Sequence, residues 1–317
     1  MQENNLEGDI YELHFTNLSK LMDLDLTHNS LSLKFPTTWI PPFQLFHLGL
    51  ASCKLRPSFP SWLQTQSRLS FLDISDADID DYVPDWFWNK LQSISNLNMS
   101  HNSIKGTIPN LPIKLTKVDI RTVILNSNQL DGAVPTFLSQ VGTLDLSHNM
   151  ISDLDAFVCG KGATSISTLD LSNNQIRGQL PDCWEHLSSL EFLDLSNNNL
   201  SGKIPKSIGA LVNLGALLLR NNSLTGDLPF TLKNYTLLET LDLSENFIAG
   251  LIPSWIGDSL QELKILSLRS NRFFGSVPAH LCQLRQILVL DLSRNNLSKG
   301  IPTCLSNFTA LMDRTVV

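Results

Sequence analysis

The chain has 317 residues, a formal net charge of −7 and 42% hydrophobic residues. The mild acidic balance excludes a nucleic-acid surface, which would carry a clustered basic stripe. No apolar run approaches the roughly 18 residues of a transmembrane helix, and the first residues lack the basic and apolar segments of a signal peptide.

One pattern, LxxLxLxxNxL, recurs along almost the whole chain. Aligned on its asparagine, it repeats every 24 or 25 residues, except for intervals of 26 and 21 around Asn128. A fixed period of this length is typical of leucine-rich repeats and predicts one solenoid domain of about 12–13 repeats over residues 1–317. The anchor positions are Asn4, Asn29, Cys53, Ala77, Asn102, Asn128, Asn149, Asn174, Asn198, Asn222, Asn246, Asn271 and Asn295.

The repeat itself predicts local structure. Leu193-Asp194-Leu195 alternates with period two, as a strand with one buried face must. Stacked repeats then give an α/β fold with parallel strands on a concave sheet and 3₁₀ or irregular turns on the convex side. The anchor asparagine is expected inside the coil, pairing its amide with backbone groups of neighbouring turns. Cys53 and Ala77 cannot replace it, so we expect a locally weak ladder there.

The phrase that follows each anchor, NxLxGxIP, ends in a glycine and a proline, as in Gly202 to Pro205. Glycine permits a tight bend, and proline suits a position outside the hydrogen-bonded ladder. The LSGxIP phrase resembles the plant-specific subclass of leucine-rich repeats. That resemblance implies a right-handed superhelical solenoid with an extra short strand beside the concave sheet.

Two longer stretches resemble plant receptor-like proteins of the fungal-xylanase-receptor and apple-scab-resistance type. They are residues 39–88 and residues 281–312, the latter resembling the repeats before the family's non-repeat island. The resemblance implies a single-pass receptor on the extracellular side of the plasma membrane, signalling through partner kinases. The chain begins within a repeat, which predicts uncapped ends, a fragment or truncated gene product, and a candidate start of the island at 312–317.

Cysteine positions predict two disulfides. Cys159 and Cys183 occupy equivalent columns one repeat apart, and Cys282 and Cys304 lie in consecutive repeats, which places each pair near the spacing of adjacent strands. The alternative is that these four are free buried thiols. Cys53, in the anchor column, is expected to be a free buried thiol.

Seven N-x-S/T sequons fit a secreted glycoprotein. Three of them share one column of the outer return segment, and one lies on the predicted concave strand, where a glycan would shield part of that face. The seven acceptors are Asn17, Asn98, Asn199, Asn221, Asn234, Asn296 and Asn307.

The sequence predicts no enzyme, cofactor or metal site. Asp145, Ser147 and His148 resemble a hydrolase set, but they are ordinary residues of their repeat columns, with no base oriented by a third group. A column of aspartates precedes the second strand leucine, and repeat consensus explains it better than calcium ligation. The aspartates are Asp25, Asp73, Asp145, Asp170, Asp194, Asp242 and Asp291.

Two further patterns carry no chemistry. The histidines before the anchors, His28, His101 and His148, are two or three repeats apart, about 10–14 Å, so one metal ion cannot collect them. The glycine-containing stretch 159–165 lacks the full spacing of a phosphate loop.

Departures from the Thr/Asp/Ser pattern mark the candidate binding surface. Apolar and arginine side chains replace the usual small polar residues, a composition that resembles interaction hot spots. Phe71, Ile124 and Ala216 also depart from the pattern. The alternative is that Arg220 only pairs with Asp194 and Asp242. The candidate patch comprises Phe192, Leu218, Arg220, Ile265, Arg269, Val289 and Arg294.

These observations favour a non-catalytic module that recognises an extracellular peptide, protein or glycan through its concave face, in immune or developmental signalling. One alternative is a secreted leucine-rich-repeat inhibitor of microbial wall-degrading enzymes. Another is the ectodomain of a receptor kinase. The sequence of the whole gene would discriminate these three.

The cysteine assignment predicts one titratable thiol. Ellman titration of the denatured, non-reduced protein should find Cys53 alone, because the other four cysteines are in disulfides. Five thiols per chain would contradict the assignment.

Overall fold

A computed structural model describes residues 1–55, 57–115, 121–160, 162, 164–308 and 310. The chain divides into two compact units, Met1–Ile151 and Ser152–Val317. The candidate island at 312–317 lies outside the described residues, and the assignment of a single domain stays a prediction.

The first unit contains two kinds of short parallel strand. Its main sheet has the order β2-β4-β5-β6-β8-β10, and the shorter strands pair as β1 with β3 and β7 with β9. The strands are β1 (Glu7–Ile10), β2 (Asp23–Asp25), β3 (Ser30–Leu33), β4 (His47–Gly49), β5 (Phe71–Asp73), β6 (Asn96–Asn98), β7 (Lys105–Thr107), β8 (Thr122–Ile124), β9 (Gln129–Ala133), β10 (Thr143–Asp145) and β11 (Met150–Asp153).

The second unit repeats this arrangement with greater regularity. Its main sheet runs β12-β14-β16-β18-β20-β22, and a second sheet runs β13-β15-β17-β19-β21-β23. Each strand of the second sheet is the extra short strand that the resemblance of the LSGxIP phrase implies for each repeat. The strands are β12 (Thr168–Asp170), β13 (Arg177–Gln179), β14 (Phe192–Asp194), β15 (Asn199–Lys203), β16 (Ala216–Leu218), β17 (Ser223–Gly226), β18 (Thr240–Asp242), β19 (Phe247–Leu251), β20 (Ile265–Ser267), β21 (Arg272–Gly275), β22 (Val289–Asp291) and β23 (Asn296–Leu297).

Short helices form the return segments, as the sequence predicts. In several repeats the proline that ends the NxLxGxIP phrase is the extended residue directly before the helix, because its ring fixes φ near −65°; Pro205 has φ −71°. Of the helices in the described part of the chain, three are one-turn α: α1 (Asp85–Trp88), α2 (Asp155–Val158) and α3 (Trp255–Ser259). The rest are 3₁₀: Glu12–Phe15, Ser61–Thr65, Asn89–Gln92, Thr136–Gln140, Trp184–Leu187, Lys206–Ala210, Phe230–Asn234, Ala279–Gln283 and Thr303–Asn307.

The core lies between the sheets and the return helices of each unit. Inward leucines such as Leu193 and Leu195 are fully buried. In the first unit, aromatic side chains from the 39–88 stretch fill the return side, with ring centroids 5.6 Å apart for Trp39 and Trp62 and 4.9 Å for Phe59 and Phe87. This aromatic packing explains the unusual composition of that stretch.

The anchor asparagines form the predicted ladder. The Asn198 side-chain amide donates to the carbonyls of Leu171 and Leu195 at 2.9 and 3.1 Å, and its oxygen accepts the N–H of Ile176 at 2.9 Å. One side chain therefore joins two consecutive repeats and satisfies backbone groups that have no ladder partner.

The ladder changes at the two anchor positions without asparagine. The Cys53 thiol still lies 3.2 Å from the Leu26 carbonyl oxygen, and it also interacts with the backbone of Asn29. Ala77 has no polar side chain, and its own backbone carbonyl accepts the N–H of Leu55 at 2.9 Å.

The cysteines pair as the repeat columns predict. Cys159 and Cys183 form one disulfide and Cys282 and Cys304 another, with Cα–Cα distances of 5.3 and 5.7 Å. Cys53 is free and buried, and burial raises the pKa of its thiol to about 11. It is therefore a poor nucleophile at neutral pH.

Close stacking of the return helices depends on a glycine in α3. A Cβ atom at Gly257 would lie 1.9 Å from the carbonyl oxygen of His280 in the next helix. The obstacle is backbone, which cannot rotate away as a side chain can. Gly300 is a suitable contrast, since a Cβ there would meet no atom within 4 Å.

We expect Gly257→Ala to lower the free energy of unfolding by about 3 kcal/mol, the upper part of the range for overpacking. Gly300→Ala should change it by less than about 0.5 kcal/mol. Urea denaturation of both variants tests this, and equal stabilities would show that the two helices separate at little cost.

Candidate functional site

The outward face of the main sheet in the second unit consists of two straight rows. Side chains alternate along each strand, so register partners on neighbouring strands point the same way. The first row is Phe192, Ala216, Thr240, Ile265 and Val289. The second row is Asp194, Leu218, Asp242, Ser267 and Asp291.

Three of the seven residues of the candidate patch, Phe192, Ile265 and Val289, therefore lie along the first row. Ile265 and Val289 are direct register partners, whereas Thr240 separates Ile265 from Ala216. Val289 is 48% exposed, and Phe192 and Ile265 are half-buried. The first row thus crosses five strands with four apolar side chains and one polar interruption at Thr240, and Leu218 lies beside it in the second row.

Two of the three arginines of the patch form ion pairs with residues of the next repeat. Arg220 donates to Glu245 at 2.9 Å, and an Arg269 nitrogen lies 3.6 Å from an Asp291 oxygen. The alternative predicted Asp194 and Asp242 as the partners of Arg220, and the structure shows Glu245 instead. The reason is that Arg220 lies beyond the end of its strand and meets the turn of the next repeat. Arg294 is exposed in the turn column, with φ +55°.

The aspartate column has a structural role at the strand ends. Each carboxylate accepts the backbone N–H two residues ahead, as asparagine and aspartate commonly do in turns. Asp145 accepts from Ser147 at 2.9 Å and Asp194 from Ser196 at 2.7 Å. The same bond forms at Asp25, Asp73, Asp170, Asp242 and Asp291.

This bond accounts for the residues that resemble a hydrolase. Ser147 is buried and its N–H is held by Asp145, while His148 is an exposed turn residue with φ +53°. His28 and His101 occupy the same left-handed column. In the described ranges, no three His, Cys, Asp or Glu side chains are placed to hold a metal ion.

Comparison with known proteins identifies the repeats. Models described as leucine-rich repeat match residues 158–200 and residues 93–115, 237–259, 262–284 and 286–308. The chain is 46% identical over 182 residues to receptor-like protein EIX2 of Solanum lycopersicum, covering 57% of this chain and 18% of that protein. The chain thus contains leucine-rich repeats that are similar to those of plant receptor-like proteins.

Solved structures agree with this assignment of the leucine-rich repeats. A TDR receptor superposes with a TM-score of 0.86 at 26% identity, covering 98% of this chain and 53% of that one. The Arabidopsis receptor kinase HAESA, solved with the peptide hormone IDA and the co-receptor SERK1, superposes with a TM-score of 0.77 at 28% identity. The match covers 92% of this chain and 53% of HAESA. The chain spans about a fifth of its curated relative and about half of each solved ectodomain.

Sequence reasoning missed one feature of the first leucine-rich-repeat unit. His47 stacks on Phe71, with ring centroids 4.1 Å apart and planes 6° from parallel, and its Nε2 lies 3.6 Å from Asp25. His47 and Phe71 occupy the same repeat column as Phe192. Two ring-bearing residues in one column of consecutive repeats are the sequence pattern that could have predicted the stacking. Gly49 leaves the space that the Asp25 carboxylate occupies.

The sequons of this leucine-rich-repeat protein differ in exposure. Asn98 is half-buried in β6, accepts from Ser100 and donates to Asp73 at 3.2 Å, so its amide acts as a strand-end cap. The Asn307 side chain lies outside the described part of the chain. The exposed acceptors are Asn17, Asn199, Asn221, Asn234 and Asn296.

None of the helices in the described ranges has the length and apolar character that a membrane span requires.

The strand-end bonds predict how stability depends on pH. Hydrogen bonds from Ser293, followed by the charge of Arg269, lower the pKa of Asp291. A depressed pKa stabilises the fold above the ordinary value of about 3.9, and this contribution disappears as pH falls through the folded-state value.

Asp291→Ala should therefore lower the melting temperature at pH 7 and have a smaller effect at pH 2.5. We expect a loss of less than about 1 kcal/mol, because the carboxylate is partly exposed to solvent, which screens its interactions. Calorimetry at both pH values checks this; an equal loss at the two values would show that the charge is irrelevant.

Proposed function

We propose that this chain is an extracellular ligand-recognition region of a plant cell-surface receptor-like protein, and that it acts by binding without catalysis. The observation that carries the proposal is the apolar row on the main sheet of the second unit, flanked by Arg220 and Arg269. The capping role of Asp145 supports a non-catalytic function, since its carboxylate is already engaged.

The comparisons support a peptide or protein ligand. HAESA was solved with a peptide hormone and a co-receptor, and the two chains share the fold of their repeats. By analogy, we infer a peptide ligand and a signalling partner kinase for the whole receptor. The similarity of this chain to receptor-like protein EIX2 favours a role as part of a receptor over a role as a secreted enzyme inhibitor.

The geometry suggests how such a peptide would lie. Phe192 and Val289 are four strands apart, which is about 19 Å at the spacing of a β-sheet. An extended peptide covers that distance with about six residues. Its apolar side chains would pack on Phe192, Ile265 and Val289, where the row is partly exposed.

The arginines can contribute a charged contact at one side of the row. The Arg220 and Arg269 side chains are 52% and 41% exposed despite their ion pairs. Exposed pairs of this kind contribute little free energy. A ligand carboxylate that forms a bidentate pair with either guanidinium can therefore replace the internal partner.

A random 12-residue peptide library displayed on phage provides a probe for this face. We expect enriched peptides to bind Phe192→Ala and Arg220→Ala at least about tenfold more weakly than wild type, because such anchors dominate binding. Phe71→Ala is the matched control, since Phe71 occupies the same repeat column in the first unit, and it should leave affinity unchanged.

Calorimetric titration with the synthetic peptides gives the affinities. If the library yields no binder, or if enriched peptides bind Phe192→Ala and Arg220→Ala as well as wild type, the proposed site is wrong.

A further inference from the structure

The second sheet of the second unit presents a row of three exposed side chains on β19, β21 and β23. Leu251 is the register partner of Phe274, and Phe274 is the register partner of Asn296. Register partners in a parallel sheet point to the same side. Leu251 and Phe274 are 61% and 47% exposed, and Asn296 is also exposed.

The Leu251 side chain lies flat against the neighbouring strand β21. A Cβ atom at Gly275 would lie 2.6 Å from a Leu251 methyl carbon, so the leucine extends over the backbone of β21. Beside it, the Arg272 guanidinium lies 4.6 Å from the centre of the Phe247 ring. Leu251, Phe274 and Phe247 are thus exposed large apolar side chains on neighbouring strands of this sheet.

The third member of the row is a candidate attachment site for a glycan. Asn296, Leu297 and Ser298 form a sequon. In that modification the amide nitrogen loses a proton and bonds to the anomeric carbon of a lipid-pyrophosphate-linked oligosaccharide. The lipid pyrophosphate is the leaving group, so no oxidant or reductant is required.

We propose that the N-linked glycan of Asn296 packs its first two N-acetylglucosamine rings on Phe274 and Leu251. A pyranose ring has a face of C–H groups that can lie flat on an aromatic ring and bury apolar area. Adjacent register positions are about 4.8 Å apart, so the first sugar lies within reach of Phe274. The inference rests on the proposed extracellular location, because glycans of this kind are added in the secretory pathway.

A second sequon in the same sheet, at Asn199, provides a matched comparison for Asn296. Asn199 occupies the same repeat column as Asn296, is exposed, and also begins a sequon. Its register partner on β13 is Arg177, where Asn296 has Phe274. A glycan on Asn199 therefore has a charged side chain beside it instead of an aromatic ring.

The test uses the secreted chain with high-mannose glycans and follows their native release by endoglycosidase H, site by site, with mass spectrometry. We expect release from Asn296 to be about 2- to 10-fold slower than from Asn199, which corresponds to one aromatic contact. Phe274→Ala should remove that difference, while Arg177→Ala should leave release from Asn199 unchanged.

A second readout is thermal stability. Ser298→Ala, which removes the sequon but keeps Asn296, should lower the melting temperature by roughly 2 °C. The same change in the Phe274→Ala background should have no effect, since contacting groups are coupled.

Equal release rates at the two sites, or an unmodified Asn296 in chains glycosylated elsewhere, would overturn the proposal. Such results would leave peptide binding at the main sheet untouched. Conversely, failed peptide binding in a chain with slow release at Asn296 would count against the proposed ligand site alone.

Discussion

The structure depends on satisfying the backbone of the turns that each repeat buries. A strand that ends inside a coil leaves N–H and C=O groups without ladder partners, and leaving them unpaired costs free energy. Asn198 provides donors and an acceptor from one short side chain, and it does so for two repeats at once. Leucine packing supplies the driving force, but the asparagine allows the turns to enter the core.

A second set of local bonds leaves few positions free for function. The aspartates at the strand ends hold the N–H two residues ahead, and the next residues adopt a left-handed turn, as at Asn197. The aspartates of this column are therefore explained by backbone geometry and need no role in chemistry. The proposed binding residues therefore include positions where the pattern is broken, such as Leu218 in place of an aspartate.

The two exposed surfaces of the second unit have different chemistry. The main sheet carries an apolar row with arginines whose ion pairs are exchangeable. The second sheet carries Leu251 and Phe274 in register with Asn296, the first residue of a sequon. Disulfides occur mainly in oxidising compartments, and the bond between Cys159 and Cys183 therefore agrees with an extracellular location. Together these features favour a protein with one face for a ligand and one covered by sugar.

The sequence alone determined the repeat, the parallel strands, the buried face and the disulfide pairs, because each depends on a local period or a column shared by successive repeats. It also located the apolar residues of the candidate site, since departures from consensus are visible in an alignment of the chain with itself. Only the tertiary structure decided which side chains meet: Arg220 with Glu245, and His47 with Phe71. Those contacts depend on side-chain direction and on the stagger between neighbouring repeats, and neither is encoded in a period.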